Sequence, residues 1–258
     1  MSKEPLRILF DADMVVFRAT SAVETPIQWD DNLWTLHADA GEAQVKVDDT
    51  ILTLTEKVLN HYKYEGNYEI VMCFSDTENF RKKILPTYKI NRADKRKPTC
   101  YYGIKKWVED NYTCYQRPGL EADDCIGILA TLKANSVIVS GDKDFKTIPG
   151  RFYDFLRNEF YEISEQEADY WHLYQTLIGD ITDNYKGCPG FGPVSAKKLL
   201  DQEPTWEAVA KAFEKKGLTE QDALVQARVA RILRASDAFI ISSSVVKFFS
   251  SSGASYQM

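Results

Sequence analysis

Three short apolar runs, each ending on an acidic residue and separated from the next by amphipathic stretches, constrain this chain more than any other feature. Residues 6–10 read as a buried strand that stops at Asp11. Residues 69–74 read as a second strand running into Ser75 and Asp76, and residues 136–140, SVIVS, as a third running into Gly141 and Asp142. Between them, Val47, Ile51, Leu54 and Val58 recur at helical spacing within 44–62. Residues 101–112 also read as a helix, and 114–117 as a short extended piece. A helix is expected from Glu121 onward, and another over 166–178 from the spacing of Trp171, Tyr174 and Leu177. Residues 152–156 are a plausible further strand, and 29–43 carry no firm pattern. Strands alternating with helices predict an α/β fold with a mostly parallel central sheet flanked by helices.

In such a sheet the strand ends converge on one edge, where α/β proteins place their sites. The acids at those ends form a set: Asp11 and Asp13, Asp76, the PGLEADD stretch with Glu121, Asp123 and Asp124, then Asp142 and Asp144, then Asp180 and Asp183 in GDITDN. Each cluster alone would pass as a helix cap or a solvated loop. Brought together without counter-charge they would repel one another and stay partly protonated. Divalent cations resolve this, and an all-oxygen set suits Mg²⁺ or Mn²⁺, with enough acids for two ions. Two such ions serve phosphodiester hydrolysis.

The net charge of −6 hides a strong asymmetry. Residues 81–106 hold ten Lys and Arg against one acid, Asp94. Lysines and arginines in such a stripe supply affinity for nucleic-acid phosphates. Arg81 and Lys82 at its start are expected contacts, and Tyr88, Tyr101 and Tyr102 could stack on a base. After Asp183 the chain turns all-helical. GCPGFGP over 187–193 predicts a tight glycine hairpin whose backbone N–H groups, with the next helix N-terminus, can meet a phosphate. Lys197 and Lys198 follow it, and helices are expected over 194–200, 206–213 and 221–235. Residues 242–258 are serine-rich and read as a poorly ordered tail. Five widely spaced cysteines read as free thiols of a reducing cytoplasm. Only three histidines argue against a zinc site or a Ser-His-Asp triad. No apolar run reaches the roughly 18 residues of a membrane span, and the N-terminus lacks a signal-peptide layout.

These motifs resemble the flap endonuclease and 5′-nuclease superfamily, and among its members the 5′→3′ exonucleases of short-tailed DNA phages. The matching stretches are FDADMVVFRA, FSDTENFRK, YKINR, LEADD, SGDKDFKTIPG, GDITDNYKGCPGFGPVSAKKLL and ARILR, in order over residues 6–235. The resemblance implies a PIN-like α/β catalytic domain over 1–183 and a helix-hairpin-helix DNA-binding part over 184–241. It implies Asp11, Asp76, Glu121 and Asp123 at a first ion and Asp142, Asp144 and Asp183 at a second, with Asp124 and Asp180 in direct or water-mediated support. Asp13 would take a supporting place. Lys89 and Arg92 would act catalytically on the scissile phosphate, and Tyr88 would stack on the terminal nucleotide. Gly190, Gly192, Ala196 and Lys197 would grip the duplex backbone, with K⁺ expected at that hairpin. The implied substrates are duplex DNA with a 5′ end and RNA in RNA–DNA hybrids, in phage DNA replication or host DNA degradation within the host cytoplasm. A structure-specific 5′ flap endonuclease is the alternative. Two departures stand out: Ala12 where the family often has Gly, and a span from Asp76 to Glu121 too short for a long helical arch.

Overall fold

The computed structural model describes residues 4–92, 94–133 and 135–237; the serine-rich tail lies outside them. In chain order the elements are β1 (Leu6–Asp11), α1 (Ala12–Ala22), β2 (Glu24–Asp30), β3 (Leu33–Ala38), α2 (Ala40–Tyr62), β4 (Tyr68–Cys73), α3 (Arg81–Ile84), α4 (Tyr101–Asn111) and β5 (Cys114–Tyr115). There follow α5 (Ala122–Leu132), β6 (Ser136–Ser140), β7 (Gly150–Asp154), β8 (Glu159–Ile163), α6 (Glu165–Ile178), α7 (Pro193–Leu200), α8 (Trp206–Glu214) and α9 (Glu220–Ala230). Short 3₁₀ turns occupy Ile90–Arg92 and Lys143–Thr147.

Six strands form one sheet in the order β5-β4-β1-β6-β7-β8, parallel throughout except for β8. The expected α/β architecture is therefore present. β1 lies between β4 and β6, with Asp11 opposite Cys73 and Phe10 opposite Val139. Because all three strands point the same way, the residues that follow them leave from one edge. That register brings Asp11, Asp76 and Asp142 to the same side of the molecule.

Strand alternation divides the core into two layers. Leu6, Ile8 and Phe10 face α1, α2 and α4 together with Met72, Phe74, Val137 and Val139. Leu9, Val71, Cys73 and Ile138 face the other way, onto Cys125, Ile126 and Leu129 of α5 and onto Ile232 and Leu233. Full burial of each such side chain contributes about 1.5–3 kcal/mol. A third core of Leu177, Cys188, Ala196, Leu200, Val209, Phe213 and Ala223 joins α6 to the C-terminal helices. All five cysteines are free. Among the described residues no helix is long and apolar enough to cross a membrane.

Beyond α1 and β8, which the sequence reading did not mark, two regions differ from expectation. The unpatterned stretch 29–43 holds most of a β2–β3 hairpin whose Trp29, Leu33, Trp34 and Leu36 are exposed. It stands off the core, so no inside–outside alternation marks it. Arg96 clamps its base with two hydrogen bonds to Glu24, of 2.6 and 2.8 Å. The second difference is α9, which ends at Ala230. Its continuation, 231–234, runs without regular structure across α5. Gly127 of α5 permits that crossing, since a Cβ there would meet the Leu233 carbonyl oxygen at 2.4 Å.

Candidate active site

The acidic edge of the sheet is built largely from helix and turn N-caps. Asp11 ends β1 and caps α1, its Oδ1 accepting from Met14 N at 3.0 Å. Its Oδ2 accepts from Ser140 Oγ at 3.2 Å. Asp142 caps the following 3₁₀ turn by accepting from Asp144 N at 2.9 Å. Glu121 is the N-cap of α5 and places Asp123 and Asp124 in the first turn. Asp180 and Asp183 lie in a tight loop after α6, closed by a bridge between Asp180 and Tyr185. Gly179 makes that loop possible at φ +69°, a conformation that costs glycine little.

Electrostatics divides these acids into two groups. The first is short of positive charge. Burial, with Asp13 and Asp142 nearby, pushes Asp11 up to about 7. Burial and the neighbouring Asp142 push Asp144 up to about 7 as well. Asp123 is raised by burial and by Asp11 and Asp142, and Asp142 by burial and Asp183. The second group is satisfied. Lys89 Nζ lies 2.6 Å from Glu121 Oε1 and 3.5 Å from Asp183 Oδ2, and Arg92 Nη2 lies 2.7 Å from Asp183 Oδ1. Burial alone would raise Glu121, but Lys89 and Arg81 outweigh it and hold the carboxyl at about 2. Asp76 stands at the rim, held low by the backbone N–H groups of Gly119 and Thr77. Asp180 accepts from Thr182 N and Asp183 N and pairs with Lys143 at 3.6 Å. A cleft of about 320 Å³ opens beside these groups, lined by Asp76, Asn79, Lys82, Lys89, Arg92 and Glu121 among others.

Four expected site residues have other places. Arg81 is not on the surface to meet DNA: it is 2% exposed, and its guanidinium binds both oxygens of Asp124 at 2.7 Å and Glu121 at 3.1 Å. It also donates to the carbonyls of Val229 and Arg231. Asp124, fully buried, spends its oxygens on Arg81, on Glu121 N and on Leu233 N, which leaves no lone pair for an ion. Tyr88 is 3% exposed, and its hydroxyl bridges Glu121 at 3.0 Å and Asp183 at 2.9 Å, so its ring is not displayed for stacking. Ala196 lies in the third core rather than at a DNA-facing surface. Lys82, Lys197 and Lys198 are exposed. Gly190 adopts φ +77° in the loop before α7, and Gly192 caps that helix. Asp13 supports the edge by accepting from Tyr101 Oη and Ser75 N, both at 2.8 Å.

Sequence reasoning missed Gln175. It lies on α6, 5% exposed, and donates from Nε2 to Asp144 Oδ1 at 2.5 Å. The available signal was a polar residue beside Leu177 on the buried side of a helix, five positions before Asp180.

The donor set fits a divalent cation. Every group is an oxygen ligand, none is histidine, and the inner carboxyls stay raised by burial and by one another although Lys89 acts on Asp123 and Lys143 on Asp144. Among the described residues no three of these acids yet stand at ligating distance of a common point; they ring a shared space.

The architecture is that of a known nuclease fold. The bacteriophage T5 D15 flap endonuclease, solved as a pseudo-enzyme-product complex with DNA and metal ions, superposes with a TM-score of 0.64 over 87% of this chain and 88% of that one, at 14% identity. Residues 7–169 match the 5′-3′ exonuclease N-terminal resolvase-like domain. The exonuclease of Escherichia phage T7 is 32% identical over 88% of this chain and 88% of its own length, and the exodeoxyribonuclease of Enterobacteria phage T3 is 31% identical over 88% and 87%. The chain belongs to the 5′-3′ exonuclease family and is a 5′→3′ exonuclease of the hydrolase class.

Proposed function

We propose that the chain removes nucleotides from the 5′ ends of duplex DNA, and RNA from RNA–DNA hybrids, with two divalent ions, Mg²⁺ or Mn²⁺, at the acidic edge. The observation that carries this reading is the inner carboxylate cluster, with Asp11 buried and Asp123, Asp142 and Asp144 half-buried, each raised by its acidic neighbours beside a cationic cleft. The T7 and T3 relatives, matched over nearly their whole length, support the substrate class.

In this reading Asp11, Asp76, Glu121 and Asp123 hold one ion. Asp142, Asp144 and Asp183 hold the other, with Asp180 in support. Ions bound there supply a water of lowered pKa and screen charge at the reacting phosphate. The chain's own cations do the rest. Lys89 and Arg92 line the cleft with fixed positive charge, and when they turn from Glu121 and Asp183 to the phosphoryl oxygens they stabilise the charge that builds there. Burial of its phenol pushes Tyr88 far above the usual range, so the hydroxyl keeps its proton and donates it to Glu121 and Asp183. Residues 184–230, with Gly190, Gly192 and the exposed Lys197 and Lys198, grip the duplex backbone in the manner of a helix-hairpin-helix, with K⁺ at the glycine loop. The role is phage DNA replication or degradation of host DNA in the host cytoplasm.

The test uses Mg²⁺ and two duplexes, one labelled at the 5′ end and one at the 3′ end. Immediate release of short 5′-labelled products, with gradual shortening of the 3′-labelled strand, is expected. Cleavage only after a 5′ flap is added would replace this reading with that of a flap endonuclease. Asp142→Asn and Asp183→Asn are each expected to lower cleavage by more than about 100-fold while end binding in Ca²⁺ persists; wild-type turnover in either variant would remove the ligand assignment.

A further inference from the structure

Gln175 stands apart from the motifs that define the acidic edge. It projects from the last turns of α6, before the chain bends at Gly179 into the Asp180–Asp183 loop. Its Nε2 hydrogen bond to Asp144 Oδ1, at 2.5 Å, is the contact between α6 and a carboxylate of the cation-poor group. The other end of the same amide has nothing to accept: Gln175 Oε1 is buried with no hydrogen-bond partner. An unpaired buried acceptor is destabilising, because it gives up its bond to water and gains none in return. A leucine or methionine would fill the same helix face at no such cost, and Leu177 and Thr176 beside it are fully paired or apolar. An amide that spends one end on an acid and leaves the other empty suits a place where a further hydrogen donor arrives.

We propose that Gln175 is a positioning residue of the metal centre: its Nε2 fixes the orientation of Asp144, and its Oε1 accepts a hydrogen from a water in the hydration shell of the ion that Asp144 holds. The assignment rests on the two-ion reading above. An amide is suited to both tasks at once. A carboxylate at 175 would have no hydrogen for Asp144 and would add like charge to the acids around it, and a lysine would meet Asp144 but could accept nothing. Groups that orient a metal ligand in this way typically change metal affinity by 10–100-fold when removed.

The test is Mn²⁺ titration calorimetry on the full chain without DNA, for wild type, Gln175→Met and Gln175→Glu, with thermal unfolding of each metal-free protein alongside. The wild type is expected to take up two Mn²⁺. Gln175→Met is expected to unfold at nearly the wild-type temperature and to keep one site, while the other weakens about 10-fold or more. Gln175→Glu is expected to weaken the same site, because it retains the acceptor but loses the donor. A purely structural role would lower the unfolding temperature and leave both Mn²⁺ affinities in place. Wild-type affinity at both sites in Gln175→Met overturns the assignment. Should Gln175→Met fail to fold, the same result in Gln175→Glu overturns it. Failure of the wild-type chain to take up Mn²⁺ overturns the two-ion reading itself, and the assignment with it.

Discussion

Arg81 shows how one residue can serve a catalytic centre from outside it. Its guanidinium is planar and its donors are fixed, so it can hold Asp124 with two parallel bonds and still reach Glu121 and two backbone carbonyls. Removing one member of such a buried pair strands the other's charge. Arg81→Met is therefore expected to destabilise the protein by about 3–5 kcal/mol, and the double variant Arg81→Met with Asp124→Leu by distinctly less. Urea unfolding of the three proteins checks this; equal losses in single and double variants would mean that the pair is not the source. At this scale the sequence was only partly legible. The acids could be read because they recur at the ends of apolar runs. The fate of Arg81 could not, because one arginine in a run of ten basic residues carries no mark of burial. What buries it is contact with residues 121–124 and 229–231, more than 35 positions away.

At the scale of elements, periodicity was a sound guide wherever an element has one face in the core. β1, β4, β6, α2, α4 and α6 all stand within a few residues of where their apolar spacing puts them. β8 was missed because it pairs only with β7, at the sheet edge, and buries none of its residues fully. The α6–α9 contact was equally hidden. There His172 Nε2 bonds to the Ala227 carbonyl oxygen at 2.9 Å, and enclosure of the ring, with Arg231 nearby, pushes His172 down to about 3. A histidine whose folded pKa lies below its unfolded value of about 6.5 contributes stability that is complete above pH 6.5 and is lost as the pH falls toward 3, because the unfolded chain takes up the proton first. His172 is only partly buried, so the effect is on the order of 1–3 kcal/mol by pH 4.5. Gln can accept the same place without titrating. The drop in urea midpoint between pH 7 and pH 4.5 is expected to be smaller in His172→Gln than in wild type, and parallel curves would show that another group sets the acid response.

For the whole molecule, a net charge of −6 conceals a division of labour. Acids collect at one sheet edge, cations line the cleft beside it, and Lys197 and Lys198 stand exposed after the glycine loop. Binding to duplex DNA in Ca²⁺ is expected to weaken steeply with salt, and Lys197→Gln with Lys198→Gln to reduce the slope of log K against log salt by about 2, at roughly 0.9 per lost phosphate contact. An unchanged slope would take α7 out of the DNA interface. The segment that crosses α5 follows every strand of the sheet in the chain. Val229 and Arg231 receive the Arg81 guanidinium, and Leu233 N donates to Asp124. The sheet, the acids and the basic cleft are all made earlier during synthesis, yet the clasp that sets the first turn of α5 arrives only with these late residues. A nascent chain that has not yet reached these residues would thus carry the parts of a nuclease without their final alignment, and its capacity to cut would arise only once residues 229–233 have been made and folded back.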